Sequence, residues 1–119
     1  MQYLLLIYEN EARWATKGYD PVEMAGYGDF SKEFTKQIKG GNALKPTNTA
    51  TTVRVREGKR LTTDGPFAET KEQLAGFYLI EASDMDEAVR LASKIPPAEV
   101  GSIEVRPIRP IRESPRRGS

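Results

Sequence analysis

Asp64-Gly65-Pro66-Phe67-Ala68-Glu69-Thr70-Lys71-Glu72-Gln73 is the stretch on which the reading of this chain turns. It sets a sharp turn, a carboxylate and an aromatic ring between two strand-like runs, residues 60–63 before it and 76–82 after it. Glycine tolerates positive φ and proline fixes φ while removing a backbone donor, so Gly65-Pro66 breaks the strand decisively. Asp64 closes the first run, where a strand would deliver its carboxylate to an edge or a cleft. Thr70 and Gln73 have the spacing of a capping box, which predicts a single helical turn between them.

Working outward, residues 49–56 form a β-branched, partly alternating strand, and Glu57-Gly58-Lys59 turns it back into residues 60–63 as a hairpin. Residues 43–46 read as a weak strand. Asp20-Pro21-Val22-Glu23 opens a helix with a cap, a first-turn proline and a glutamate three residues on. Tyr27, Phe30, Phe34 and Ile38 then recur at helical spacing, and Gly40-Gly41-Asn42 ends the helix. Gly26 and Gly28 weaken its start. Residues 9–19, with Trp14, read as a loop or short helical turn. Residues 2–8 are a continuous apolar run with the length of a central strand buried on both faces.

Downstream, Asp84 caps a second helix whose buried stripe is Ala88, Leu91, Ala92 and Ile95, and Pro96-Pro97 stops it. Residues 102–108 supply the last strand. The order predicts an α+β domain over residues 1–108, with a ferredoxin-like βαβ-type antiparallel sheet and helices on one face. No internal repeat is present. Residues 109–119 are a basic Pro/Arg-rich tail expected to be extended or disordered.

Composition narrows the chemistry. The chain has 119 residues, 38% of them apolar and 29% charged, which fits one soluble domain. The apolar run at residues 3–8 is too short to span a bilayer and lacks the flanks of a secretory signal, so cytoplasmic residence is the default. There is neither cysteine nor histidine. Disulfides, thiolate nucleophiles and a Ser-His-Asp arrangement are excluded, and no metal or cofactor is expected. Acid–base chemistry would fall to a carboxylate, a lysine or a tyrosine. Net charge is +1, but from Arg106 onward five arginines face one glutamate, leaving the rest of the chain at about −3. A balanced body argues against nucleic-acid binding, and the tail's few charges would bind weakly and with strong salt dependence.

The 64–73 stretch, with residues 75–81 and 101–107, resembles the YCII-related family, in its DGPF-domain branch, over roughly residues 1–108. The resemblance implies two sheets packed face to face as a dimeric α+β barrel, hence a homodimer through the open sheet face. An open apolar sheet face points the same way on physical grounds. Related proteins resemble lactone-isomerising enzymes and are proposed to use a His-Asp pair. Asp64 matches the motif, but its histidine partner is missing here. Genes of this branch often lie beside sigma-factor genes, which implies a regulatory partner as a further reading.

Asp64 is the candidate catalytic base of a cofactor-free isomerase or lyase. Equally, its oxygens can accept from the N–H groups of Phe67 or Ala68 and merely lock the turn. The candidate ligand site is Trp14, Arg54, Asp64, Phe67, Lys71 and Tyr78, near the turn and the dimer interface. It would hold a small polar or anionic molecule, with Arg54, Arg56 and Lys71 supplying positive charge. Arg54 and Arg56 share one strand face, where discouraging edge aggregation explains them as well. Glu69 and Glu72 beside Asp64 read as surface acids rather than metal ligands.

Overall fold

The structure of the chain, a computed structural model, describes all residues except 16, 17, 19, 100 and 112–119, and excludes the side chains of residues 14, 15 and 99. Most of the tail therefore lies outside the described residues. The elements run β1 (Gln2–Glu9), α1 (Ala12–Ala15), α2 (Pro21–Glu33), β2 (Ile38–Ala43), β3 (Thr51–Arg56), β4 (Lys59–Asp64), β5 (Gln73–Glu81), α3 (Met85–Ala92) and β6 (Ser102–Pro107). The fold is α+β. Four antiparallel strands lie in the order β2-β5-β1-β6, and β3-β4 form a separate two-stranded hairpin between β2 and β5.

β1 is central but not buried on both faces. Tyr3, Leu5, Ile7 and Glu9 are buried, while Leu4, Leu6 and Tyr8 between them are only half-buried. Helices cover one face alone, because strand side chains alternate and both long helices pack on the same side. There Phe30 of α2 and Phe34 just after it meet Leu5, Ile7 and Ile80, and Ala88, Leu91 and Ala92 of α3 complete the core. Phe30 tilts against Phe34 and Tyr78, with ring centroids 5.2 and 5.1 Å apart. On the other face, register sets Leu4 opposite Leu79, Leu6 opposite Phe77 and Tyr8 opposite Leu74. No described helix covers these six residues.

Several boundaries differ from expectation. α2 stops at Glu33, with the Phe34 N–H returning to the Phe30 carbonyl, so Ile38 opens β2 rather than ending the helical stripe. Gly40 and Gly41 are not a helix cap. Both lie in β2, where Gly41 packs against β5 at a φ of +155°, and an added Cβ would sit 2.6 Å from the Phe77 carbonyl oxygen. Sheet pairing at that distance outcompetes a longer helix. Thr70 starts no helical turn; its hydroxyl turns to the Glu72 carbonyl, and β5 begins at Gln73, earlier than residue 76. The hairpin turn is as expected, with Glu57 and Gly58 both at positive φ (53° and 74°). No described helix is long and apolar enough to cross a membrane.

Candidate functional site

The parity of β1 builds the site. Residues 3, 5 and 7 face the helices, and the same parity carries Glu9 inward at the strand end, where it is 6% exposed. A carboxylate so placed needs a cation, because desolvation without pairing costs several kcal/mol. Asn10 provides the geometry. Its side chain accepts from the Ala12 N–H at 3.0 Å and its carbonyl from the Arg13 N–H at 3.0 Å, turning the chain into α1. Arg13 thereby reaches back to Glu9 Oε1 at 2.6 Å. Its two terminal nitrogens also donate to both oxygens of Glu23, each at 3.1 Å. Glu23 does not return to its own helix cap as a capping box would. Asp20 alone caps α2, accepting from the Val22 N–H at 2.9 Å.

Beside this triad lies a cavity of about 530 Å³, between the first turns of α2 and the sheet where β1 ends and β5 begins. Ile7, Met24, Leu44, Tyr27 and Tyr78 form its apolar wall, and Glu9, Arg13, Asp20 and Glu23 its polar end. A β-bulge shapes the floor: Ile7 pairs with Gly76 and Tyr8 with Leu74, leaving Ala75 without a partner on β1. Ala75 instead accepts from the Leu44 N–H at 2.8 Å, which holds the chain leaving β2 against the cavity. Glu11 anchors the same stretch by accepting from the Thr47 N–H and hydroxyl, both at 2.8 Å.

The electrostatics are unequal. Burial pushes the Glu9 carboxyl up from its ordinary value, the Arg13 hydrogen bond opposes that, and the nearby Glu23 carboxylate adds to it. Burial, then Glu9 and Glu23, push the Tyr27 hydroxyl far up, so it remains a neutral donor. Tyr78 is raised by burial, with a hydrogen bond to Ser31 working against it. Hydrogen bonding to Glu23 raises Arg13 further. Among the described residues the site thus holds three carboxylates, one guanidinium and two un-ionised phenols.

Of the residues singled out from sequence, Tyr78 lines this cavity. Arg54, Asp64, Phe67 and Lys71 stand outside its lining, and the Trp14 side chain lies outside the described residues. Arg54 and Phe67 do meet, the guanidinium lying 5.6 Å from the ring centroid, on a ring that is 79% exposed. Asp64 is exposed and pairs through its backbone with Thr51. Its carboxylate accepts no hydrogen bond from a described residue. The turn is held instead by the Gly65 N–H on the Ala50 carbonyl at 2.7 Å and by the Thr52 hydroxyl on the Gly65 carbonyl at 3.0 Å. Among the described residues no three acidic side chains converge as a metal site requires.

A YCII-related domain model matches residues 1–112. The chain belongs to the YCII-related family. An uncharacterized protein of Rhizobium meliloti (strain 1021), R00369, is 39% identical over 115 residues, covering 91% of this chain and 92% of that protein. Among solved structures, the chain is similar to 5-chloro-2-hydroxyhydroquinone dehydrochlorinase (TftG) from Burkholderia phenoliruptrix AC1100, solved in complex with 2,5-dihydroxybenzoquinone. That likeness has a TM-score of 0.54 at 14% identity, over 92% of this chain and 94% of that one. At such identity it speaks for the fold alone. Within this YCII-related chain the Glu9–Arg13–Glu23 triad escapes a motif search, because Glu9 reads as the residue that bounds an apolar run. The available signal was parity, since Glu9 continues the buried series of Tyr3, Leu5 and Ile7.

Proposed function

We propose that this chain binds a small molecule in the cavity between α2 and the sheet, and works as a homodimer paired through the uncovered sheet face. The observation carrying the first part is the cavity itself. About 530 Å³ of space, apolar on one side and closed at one end by a carboxylate 6% exposed, has the make-up of a ligand site. The expected position at the 64–67 turn has less support, since Asp64 and Phe67 are exposed and line no part of this space. The second part is supported by Leu4, Leu6, Leu74, Phe77 and Leu79, half-buried on one face with no described helix over them. A second copy covers such a face most economically, because a two-fold axis sets the patch against itself.

A screen of small aromatic fragments, followed by amide NMR shifts, tests the ligand site. Shifts are expected at Gly41, Ala43 and Gly76. Shifts confined to residues 64–67 would move the site to the turn and refute this reading. Sedimentation at micromolar concentration tests the pairing, and a monomer there would refute it.

An acid–base enzyme is the second reading, and Glu9 rather than Asp64 is the residue that favours it. Glu9 is buried against a cavity, its carboxyl raised by burial and by Glu23. Turnover of any substrate found for the cavity would then be lost in Glu9→Gln and retained in Asp64→Asn.

A further inference from the structure

Among the described residues, the charge lining the cavity does not balance. Glu9 and Glu23 share the single guanidinium of Arg13, and Asp20 adds a third carboxylate on the same wall. The positive end of α2 does not correct this, because Asp20 already caps it and Glu23 already occupies its first turn. Arg13 meets Glu9 only at Oε1; the other oxygen of this buried carboxylate, Oε2, accepts from no described donor. Tyr27 and Tyr78 bring ring surface to the same space. On the reading that this cavity is a ligand site, we propose that its ligand is a small organic cation, an amine on an apolar or aromatic body, with the ammonium received by Glu9 and Glu23 and the body packed against Tyr27 and Tyr78.

Four physical points favour that class. An ammonium has donors and no acceptor, which suits a group of carboxylates with an unused oxygen. Aromatic faces attract cations, most strongly where water is excluded. An anion would need Arg13, yet Arg13 is already engaged with Glu9 at 2.6 Å and with both oxygens of Glu23 at 3.1 Å. Freeing it would strand two carboxylates, which buried ion pairs resist strongly. A divalent metal would want three or more acidic ligands converging on one point, and Glu9, Asp20 and Glu23 do not converge in that way.

A consequence concerns protons. Burial and the neighbouring Glu23 carboxylate both disfavour the charge on Glu9, with Arg13 of α1, Asp20 and Tyr27 of α2 and Tyr78 of β5 lining the same space. In the empty cavity Glu9 holds a proton more readily than an ordinary carboxyl does, and a neighbouring ammonium would favour its ionised form.

The test uses three probes that share a ring and a two-carbon chain and differ in charge: 2-phenylethylamine, 2-phenylethanol and phenylacetate. Each is titrated at pH 7 into the full chain while the Gly41, Ala43 and Gly76 amides are followed. The amine is expected to bind about ten-fold tighter than the alcohol, as one charge-assisted hydrogen bond implies, and phenylacetate weakest. Glu23→Gln should erase most of that preference. Equal binding of amine and alcohol would overturn the cationic class while leaving the cavity a ligand site. Preference for phenylacetate would overturn it in favour of Arg13 as the contact. Matching shifts from magnesium chloride alone would overturn it in favour of an inorganic cation. No shift from any probe at millimolar concentration would overturn both this inference and the site reading beneath it.

Discussion

Replacing Arg13 by Met keeps much of the side chain's apolar stem and removes its charge, leaving Glu9 and Glu23 facing each other unpaired. Breaking a fully buried ion pair from one side costs about 3–5 kcal/mol, whereas exposed pairs are worth about 0–1 kcal/mol. Here the carboxylates are 8% and 17% exposed and the guanidinium 33%. The loss should therefore fall between the limits, at about 2–3 kcal/mol at pH 7. Its pH dependence carries the sign of a raised carboxyl. Glu9 already binds its proton more readily folded than unfolded, and removing Arg13 strengthens that bias. The variant's folded state then holds more protons than its unfolded state, so its stability rises as pH falls. Urea unfolding of the parent and Arg13→Met at pH 7 and pH 4 measures the difference. The penalty should shrink at pH 4 to what the lost packing alone explains, under about 1 kcal/mol. A penalty of equal size at both pH values would show that Arg13 acts through packing, and no penalty at pH 7 would show that the triad is solvated.

Gly41→Ala should cost about 2–4 kcal/mol in urea unfolding, combining overpacking with strain at positive φ, since the new Cβ would stand 2.6 Å from the Phe77 carbonyl and 2.9 Å from Tyr78 Cδ1; a cost near zero would mean that β2 moves freely off β5. Leu6→Arg sets a charge in the middle of the uncovered face and should raise the dimer dissociation constant by about 100-fold or more, read by sedimentation, with the monomer still folded because Leu6 is only half-buried within one chain. Asp64→Asn should change stability by about 0.5 kcal/mol or less and leave the cavity probes unaffected, because the carboxylate is exposed and the turn is held by backbone groups and Thr52; a loss of about 1–2 kcal/mol would restore the turn-lock role.

The fold was legible where local chemistry and tertiary packing agree. Asp84 caps α3, and all four residues of its expected stripe, from Ala88 to Ile95, are buried. Legibility failed where sheet pairing overrode a local signal. Gly40-Gly41 resembles a helix terminator, yet a glycine is also what lets an edge strand lie close against Phe77 and Tyr78. Likewise, seven apolar or large residues in a row do not reveal that one strand face lacks a cover; that follows only once both helices are seen on the same side. The site was harder still. Tyr78 could be named from its strand, whereas the triad joins positions 9, 13 and 23 through a turn at Asn10 that no spacing rule announces.

A chain without histidine or cysteine must make any proton-exchanging group from its surroundings, and the structure concentrates those surroundings in one place. Asp64, the motif carboxylate, stands in water at the base of a hairpin. Glu9 stands at the inner end of a buried strand face, beside a second carboxylate, with one described cation between the two of them. Burial and repulsion act in the same direction on it and the Arg13 hydrogen bond opposes both, so small changes at Arg13 or in the cavity shift its proton affinity. On the proposed reading, a ligand in the cavity would therefore meet a group whose charge responds to its own. That coupling belongs to binding and to proton transfer alike, and so the first substitutions to compare are at Glu9 and Arg13 rather than at the motif that names the branch.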